Sequence, residues 1–238
     1  MKHIENVTAL ILAGGLGTRL SSAFPEKPKV LAPVNGRPFL SYLLDQLVSA
    51  GFQDVILCTG YKGEMVRKTF GDSYKDLAIR YSMEPEPLGT GGALLYALPM
   101  IKKKLILAMN GDSFCKTDFN KLFEFHLRRK SIMSIVLVHP QHSSDYGVVA
   151  LNKNNKIARF NEKIDCQVDR YINAGIYLMD QGIIDHMPDE EHFSLEYDLF
   201  PHIMKSDCFG FVSDGELIDI GTPDRLKRAQ RYFSINSL

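Results

Sequence analysis

Hydrophobic and polar positions along the chain form short apolar runs alternating with helical stripes. Residues 7–13 (VTALILA) make a β-branched and leucine-rich run of the kind a central parallel strand requires. Phe39, Leu40, Leu43, Leu44, Leu47 and Val48 then fall on one helical stripe that closes at Gly51. Residues 55–59 are strand-like, 62–70 helical, 77–83 strand-like again and 91–98 suited to a helix. Residues 105–109 are a further buried strand ending in Asn110-Gly111-Asp112. This βαβαβ series predicts a mostly parallel sheet with right-handed crossovers. Ligands in such sheets sit at the carboxyl ends of the strands, which puts the loop after residue 13 and Asp112 on one edge.

The second half is richer in strands, at residues 134–138, 146–151, 156–160 and 171–179, with the polar tract 152–155 as a turn. A helix is predicted over 195–205 with Ser194 as its cap. A final helix starts at Thr222-Pro223, with threonine as N-cap and proline in the first helical position. No repeat, linker or low-complexity segment divides the 238 residues, so one domain over 1–238 is expected, long enough to bury a full core.

Charge and cysteine content narrow the function. Lys+Arg 28 balances Asp+Glu 28, so no global field draws the protein to nucleic acid or an anionic membrane. An anion must be held by a local cluster, and Lys102-Lys103-Lys104 reads as a solvated turn before a strand. Cys58, Cys115, Cys166 and Cys208 are scattered without a CxxC pair, which indicates neither a zinc site nor a disulfide framework. His139 and His142 lack metal-ligand spacing. Reduced thiols, no signal-peptide pattern and no apolar stretch approaching the ~18–20 residues of a membrane span predict a soluble cytoplasmic protein.

The candidate chemistry begins directly after the first strand, at Gly14-Gly15-Leu16-Gly17-Thr18-Arg19-Leu20. Glycines there let a backbone wrap a polyanion and point its N–H groups inward. Arg19 can fork two phosphate oxygens, and Lys29 adds a second cation. Together they suggest a triphosphate site. A Walker A loop does not fit, because Gly17 is followed by Thr18-Arg19, and a dinucleotide fingerprint needs a glycine where Leu20 stands.

The whole string LAGGLGTRL, followed by PKVLAPV, resembles the signature of the sugar-1-phosphate nucleotidyltransferases. That resemblance implies an α/β fold, a Rossmann-like, mostly parallel mixed sheet flanked by helices (GT-A-like), with a nucleotide-binding half of about 1–130 and a sugar-phosphate-binding half of about 131–238. It implies transfer of a nucleotidyl group from a nucleoside triphosphate to a sugar 1-phosphate, with Mg2+ as cofactor. Arg19 and Lys29 would be the catalytic cations, and Leu12, Ala13, Gly14, Gly15, Gly17 and Thr18 the nucleotide loop. Glu84, Pro87, Gly89 and Thr90, in EPEPLGTGGA, resemble the family's base-reading loop. Asp112 and Asp219 stand where the family's metal-binding aspartates lie. Asn110, Tyr146, Gly147, Glu162, Lys163, Asn173 and Tyr177 would bind the sugar phosphate. No acyltransferase or oligomerisation extension is expected after the last helix, and homo-oligomerisation stays open.

Each of these residues has a plainer reading: a turn aspartate for Asp112, a loop acid for Asp219, a solvated loop acid for Glu84, a strand pair with turn residues for the sugar set. For Glu84 the chemistry adds an argument. A carboxylate only accepts hydrogen bonds, and guanine offers two adjacent donors, N1–H and N2–H2. Uracil and thymine offer one imide N–H flanked by carbonyls that a carboxylate repels, so the residue tilts the reading towards GTP. Within the family, EPEPLGTGGAL, FSLEYDLFP and LIDIGTPDR look most like the D-glycero-α-D-manno-heptose 1-phosphate guanylyltransferases. Mannose 1-phosphate and glucose 1-phosphate enzymes share much of the pattern. A metal-dependent glycosyltransferase and a non-catalytic sugar-nucleotide-binding regulator are the readings from other classes.

Overall fold

A computed structural model of the chain describes residues 4–15, 17, 27–139, 147–161, 170–204 and 206–236. The first half follows the predicted alternation: β1 (Val7–Leu12), α1 (Leu40–Ala50), β2 (Asp54–Thr59), α2 (Gly63–Phe70), β3 (Leu77–Met83), α3 (Gly89–Ala97) and β4 (Leu105–Asn110). These strands pair in parallel in the order β4-β1-β2-β3. β1 is buried on both faces, as its composition requires. Val7, Ala9 and Ile11 enter a core with α1 and α2, while Leu10 enters a second core with α3. α1 stops at Gly51, which takes the left-handed cap conformation and donates its N–H back to Val48.

After β4 come the short β5 (Ser113–Cys115), α4 (Phe119–Arg129), β6 (Met133–Val138), β7 (Val148–Leu151), β8 (Ile157–Asn161) and the long β9 (Arg170–Asp180). β9 makes the sheet mixed. Its C-terminal part lies antiparallel to β4, its start lies antiparallel to β7, and β6 also pairs with it. β10 (Cys208–Ser213) adds a strand parallel to β6. β11 (Leu217–Asp219) pairs antiparallel with β5, opposing Asp219 to Ser113. α5 (Phe200–Ile203) packs with α3 on one face of the sheet. α6 (Pro223–Ile235) closes the chain on the other face, beside α1, with Thr222 Oγ1 accepting the Arg225 N–H at 3.3 Å. Among the described residues no helix is long and apolar enough to cross a membrane, and Cys58, Cys115 and Cys208 are free thiols.

Two differences from the sequence expectations have local causes. The single helix expected over 195–205 is a π-helical turn, Leu195–Leu199, followed by one α-helical turn, capped by Ser194 as predicted. Pro201 has no N–H for the Tyr197 carbonyl and its ring crowds that turn, so the ladder widens just before it. Helix α4 has no counterpart among the predicted elements, although Asp118 caps it by accepting the Lys121 N–H at 3.1 Å and Phe119, Leu122, Phe123 and His126 form its buried stripe.

That stripe makes stability depend on pH. His126 is 2% exposed, with Nδ1 2.9 Å from Ser134 Oγ. Burial lowers its ring from the ordinary 6.5 to about 4, with Asp180 pulling weakly the other way. Between those values the unfolded chain binds a proton that the folded chain excludes, so stability rises with pH across the window and is lost as pH falls. The loss amounts to up to about 3 kcal/mol. Urea midpoints measured from pH 7 down to 4.5 should fall for wild type and fall less for His126→Gln. Equal slopes would show that His126 is not the titrating group.

Candidate active site

The carboxyl end of β1 lies beside those of β4 and β2, tied to the first by Gly111 N–H donating to the Leu12 carbonyl at 2.8 Å and to the second by Ala13 N–H donating to the Cys58 carbonyl at 2.7 Å. They open onto a cleft of about 430 Å³. Leu12, Ala13, Gly14, Gly15 and Gly17 line it from one side, and Glu84, Pro87, Gly89 and Thr90 from the other. Lys29, Asn110 and Asp112 complete the wall. The described members of the predicted nucleotide set therefore share one cavity, while Thr18 and Arg19 lie outside the described residues.

Gly14 shows why the loop must be glycine. A Cβ there would come within 2.8 Å of Glu84 Oε1 and 3.2 Å of the Gly60 nitrogen. Glu84 is 8% exposed, which rules out a solvated loop acid. Its Oε2 accepts the Leu88 N–H at 3.4 Å, but its buried Oε1 has no hydrogen-bond partner among the described residues. Burial raises its pKa above the ordinary 4.5, partly offset by the Leu88 N–H. A buried carboxylate oxygen without a donor costs free energy, and a ligand that brings one recovers it.

At the other end of the cleft, Lys29 Nζ lies 2.5 Å from Asp112 Oδ2. Burial opposes ionisation of Asp112, but the Lys29 ammonium and the Ser113 hydroxyl outweigh it and hold the carboxyl below its ordinary range. The Asp112 side chain is 40% exposed and so stays open to the cleft. The β5–β11 ladder brings Asp219 to the same corner, where Ile220 N–H donates to the Asp112 carbonyl at 3.1 Å. Asp219 is buried, with Oδ1 accepting Gly221 N–H at 2.8 Å and Arg225 Nη1 at 3.2 Å. A Cβ at Gly221 would touch both Asp219 Oδ1 (2.9 Å) and Lys29 Nζ (3.7 Å), so the lysine ammonium sits in the corner the two aspartates share. Hard oxygen donors already facing a cation fit a divalent metal. No group of three or more metal-ligating side chains occurs among the described residues.

The sugar set is brought together in part. Gly147 receives the Asn173 N–H at 3.0 Å, and Asn173 Nδ2 donates to Tyr177 Oη at 2.8 Å. β9 crosses Asn110 at Gly175, where a Cβ would lie 2.9 Å from Asn110 Nδ2. Tyr177 is fully buried, and burial together with the neighbouring Glu196 pushes its hydroxyl far above the ordinary 10. Tyr146, Glu162 and Lys163 fall outside the described residues, as do Cys166 and His142. Glu196 is a site neighbour absent from the predicted set. Its only sequence signal is its place in FSLEYDLFP, two residues after the Ser194 cap.

A family model described as nucleotidyl transferase matches residues 8–234, nearly the whole fold and both sides of the cleft. The chain belongs to the nucleotidyl transferase family. This nucleotidyltransferase is 38% identical over 224 residues to the D-glycero-alpha-D-manno-heptose 1-phosphate guanylyltransferase of Aneurinibacillus thermoaerophilus, covering 94% of the chain and 96% of that relative. It is 33% identical to the mannose-1-phosphate guanylyltransferase of Mycobacterium tuberculosis, of which it spans 64%, over 94% of its own length. The crystal structure of HddC from Yersinia pseudotuberculosis complexed with GMP-PN superposes with a TM-score of 0.83 at 31% identity, over 95% of this chain and 99% of HddC.

Proposed function

We propose that this nucleotidyltransferase transfers the guanylyl group of GTP to D-glycero-α-D-manno-heptose 1-phosphate, releasing pyrophosphate. The observation that carries the reading is the cleft itself, with a glycine loop, a Lys29–Asp112 pair and the buried Oε1 of Glu84, unpartnered among the described residues, converging on it. The heptose enzyme matches over 96% of its length, whereas the mannose enzyme is matched over only 64% of its own.

A phosphate oxygen of the sugar attacks the α-phosphorus of GTP in line, and the bond to the β-phosphate oxygen breaks. No side chain forms a covalent intermediate, so the protein acts by positioning and electrostatics. The glycine loop and Arg19 hold the triphosphate, and Lys29 follows the charge that gathers on the α-phosphate. Glu84 accepts from the guanine edge. Glu162 and Lys163 meet the sugar hydroxyls and its phosphate, with Tyr146, Gly147 and Asn173 shaping the pocket. Mg2+ held by Asp112 and Asp219 would neutralise the α-phosphate and the leaving pyrophosphate. The free thiols fit work in a reducing cytoplasm.

A panel of GTP, ATP, UTP and dTTP against the heptose, mannose and glucose 1-phosphates, read by pyrophosphate release, tests the reading. GTP with the heptose 1-phosphate should give the highest kcat/KM. A higher value with mannose 1-phosphate would overturn the heptose assignment and leave guanylyl transfer standing.

A further inference from the structure

One carboxylate behind the cleft joins its two halves. Glu196 Oε2 accepts the Thr90 hydroxyl at 2.7 Å and the Ser194 hydroxyl at 2.9 Å, while its Oε1 accepts the Tyr177 hydroxyl at 2.8 Å. Thr90 lines the cleft next to Gly89, and Tyr177 lies on β9 beside Asn173. The segment that carries Glu196 is pressed onto the base-side loop. The Phe193 carbonyl accepts the N–H groups of Gly91 and Gly92 at 3.0 and 3.2 Å, and a Cβ on Gly91 would overlap the Phe193 ring.

A carboxylate only accepts, so each hydroxyl around it must point its proton inward. That fixes what those hydroxyls offer elsewhere. Thr90 Oγ1, its proton committed to Glu196, accepts the Leu195 N–H at 2.9 Å. Tyr177 Oη, likewise committed, accepts from Asn173 Nδ2, which leaves Asn173 Oδ1 for the Gly175 N–H at 2.9 Å. The amide orientation of Asn173 and the rotamer of Thr90 are therefore set from one side chain.

We propose that Glu196 is a positioning residue that couples the nucleotide and sugar-phosphate subsites. It touches neither substrate and acts through Thr90 on one side and through Tyr177 and Asn173 on the other. Ordering one subsite lowers the cost of ordering the other, because both orders share the same carboxylate. This rests on the substrate reading above. In Glu196→Gln the amide presents donors where only acceptors serve. Either the Thr90 or the Tyr177 hydroxyl then loses its acceptor, while side-chain size is kept.

The test is calorimetric titration of α,β-methylene-GTP, which cannot release pyrophosphate, with Mg2+ present. It is run with and without saturating heptose 1-phosphate, and again with mannose 1-phosphate. In wild type the sugar phosphate should tighten nucleotide binding by about tenfold. In Glu196→Gln that factor should fall to about one, with a melting temperature near that of wild type. Tyr177→Phe, which keeps the ring and removes only the hydroxyl that Glu196 holds, should lose the coupling as well. It keeps the proposal testable should Glu196→Gln fail to fold. Wild-type coupling retained in either folded variant, or absent from wild type, overturns the proposal. If wild type binds neither sugar phosphate, the substrate reading fails. Nucleotide affinity then decides for Glu196, and an unchanged value in Glu196→Gln overturns its role as well.

Discussion

Replacing Asp112 by asparagine should lower kcat by about a thousandfold or more while leaving the fold intact. The carboxylate stands at the open edge of the cleft, is held ionised by Lys29, and lies one ladder rung from Asp219. Asparagine keeps its shape and loses its charge. The lost stabilisation of a pentavalent, charge-rich transition state is worth roughly 4 kcal/mol, and each 1.4 kcal/mol is about tenfold in rate. Stability should change little, because the side chain is partly exposed and the asparagine Oδ1 can still accept from Lys29. Steady-state kinetics over a range of Mg2+ concentrations, with a melting curve for each protein, checks both parts. Activity within tenfold of wild type, or undiminished turnover in excess chelator, would remove Asp112 from the metal site.

Glu84→Gln should separate function from stability. A site built around two guanine donors rejects rings that lack them, because it leaves a buried charge unpaired. Wild-type kcat/KM for GTP should exceed that for UTP and dTTP by about a hundredfold or more. Glutamine can donate as well as accept, so it should weaken GTP use and relax discrimination against UTP, with little effect on the sugar-phosphate KM. The same change should stabilise the ligand-free protein at neutral pH. Burial raises the folded-state pKa of Glu84 above 4.5, so its stability contribution is fully present below that value and is lost as pH rises through the raised one. The variant should therefore melt higher than wild type at pH 7 and equally at pH 4. A wild-type preference for UTP or dTTP would overturn both the role of Glu84 and the choice of GTP. A melting gain that persists at pH 4 would mean that the effect is not electrostatic.

Local chemistry made much of this protein legible from its residues. The run before Gly14 is buried on both faces, and a strand of that composition has few other places to go. Gly51, Ser194 and Thr222-Pro223 mark helix ends through backbone geometry that a few neighbouring residues decide, and all three marks hold. The glycine loop and the base-side loop face each other across one cleft because parallel strands present their carboxyl ends on one edge.

Long-range pairing decided the rest. Asp112 and Asp219 share a corner only because two three-residue strands, too short to announce themselves, form a ladder between distant segments. The insertion of β9 antiparallel beside β4 places Asn173 and Tyr177 behind the nucleotide cleft, and strand order is set by burial against the whole sheet. Glu196 reads in the sequence as one acid in a helix start. Ser194 is a local partner, but the Thr90 and Tyr177 hydroxyls come from two other segments, and a hydrogen bond between segments has no periodicity to betray it. The sequence by itself determined the alternating strands and helices of the first half and the glycine loop after β1, whose physics is local; the tertiary structure alone decided which carboxylates meet, because that depends on closing loops whose ends no local preference brings together.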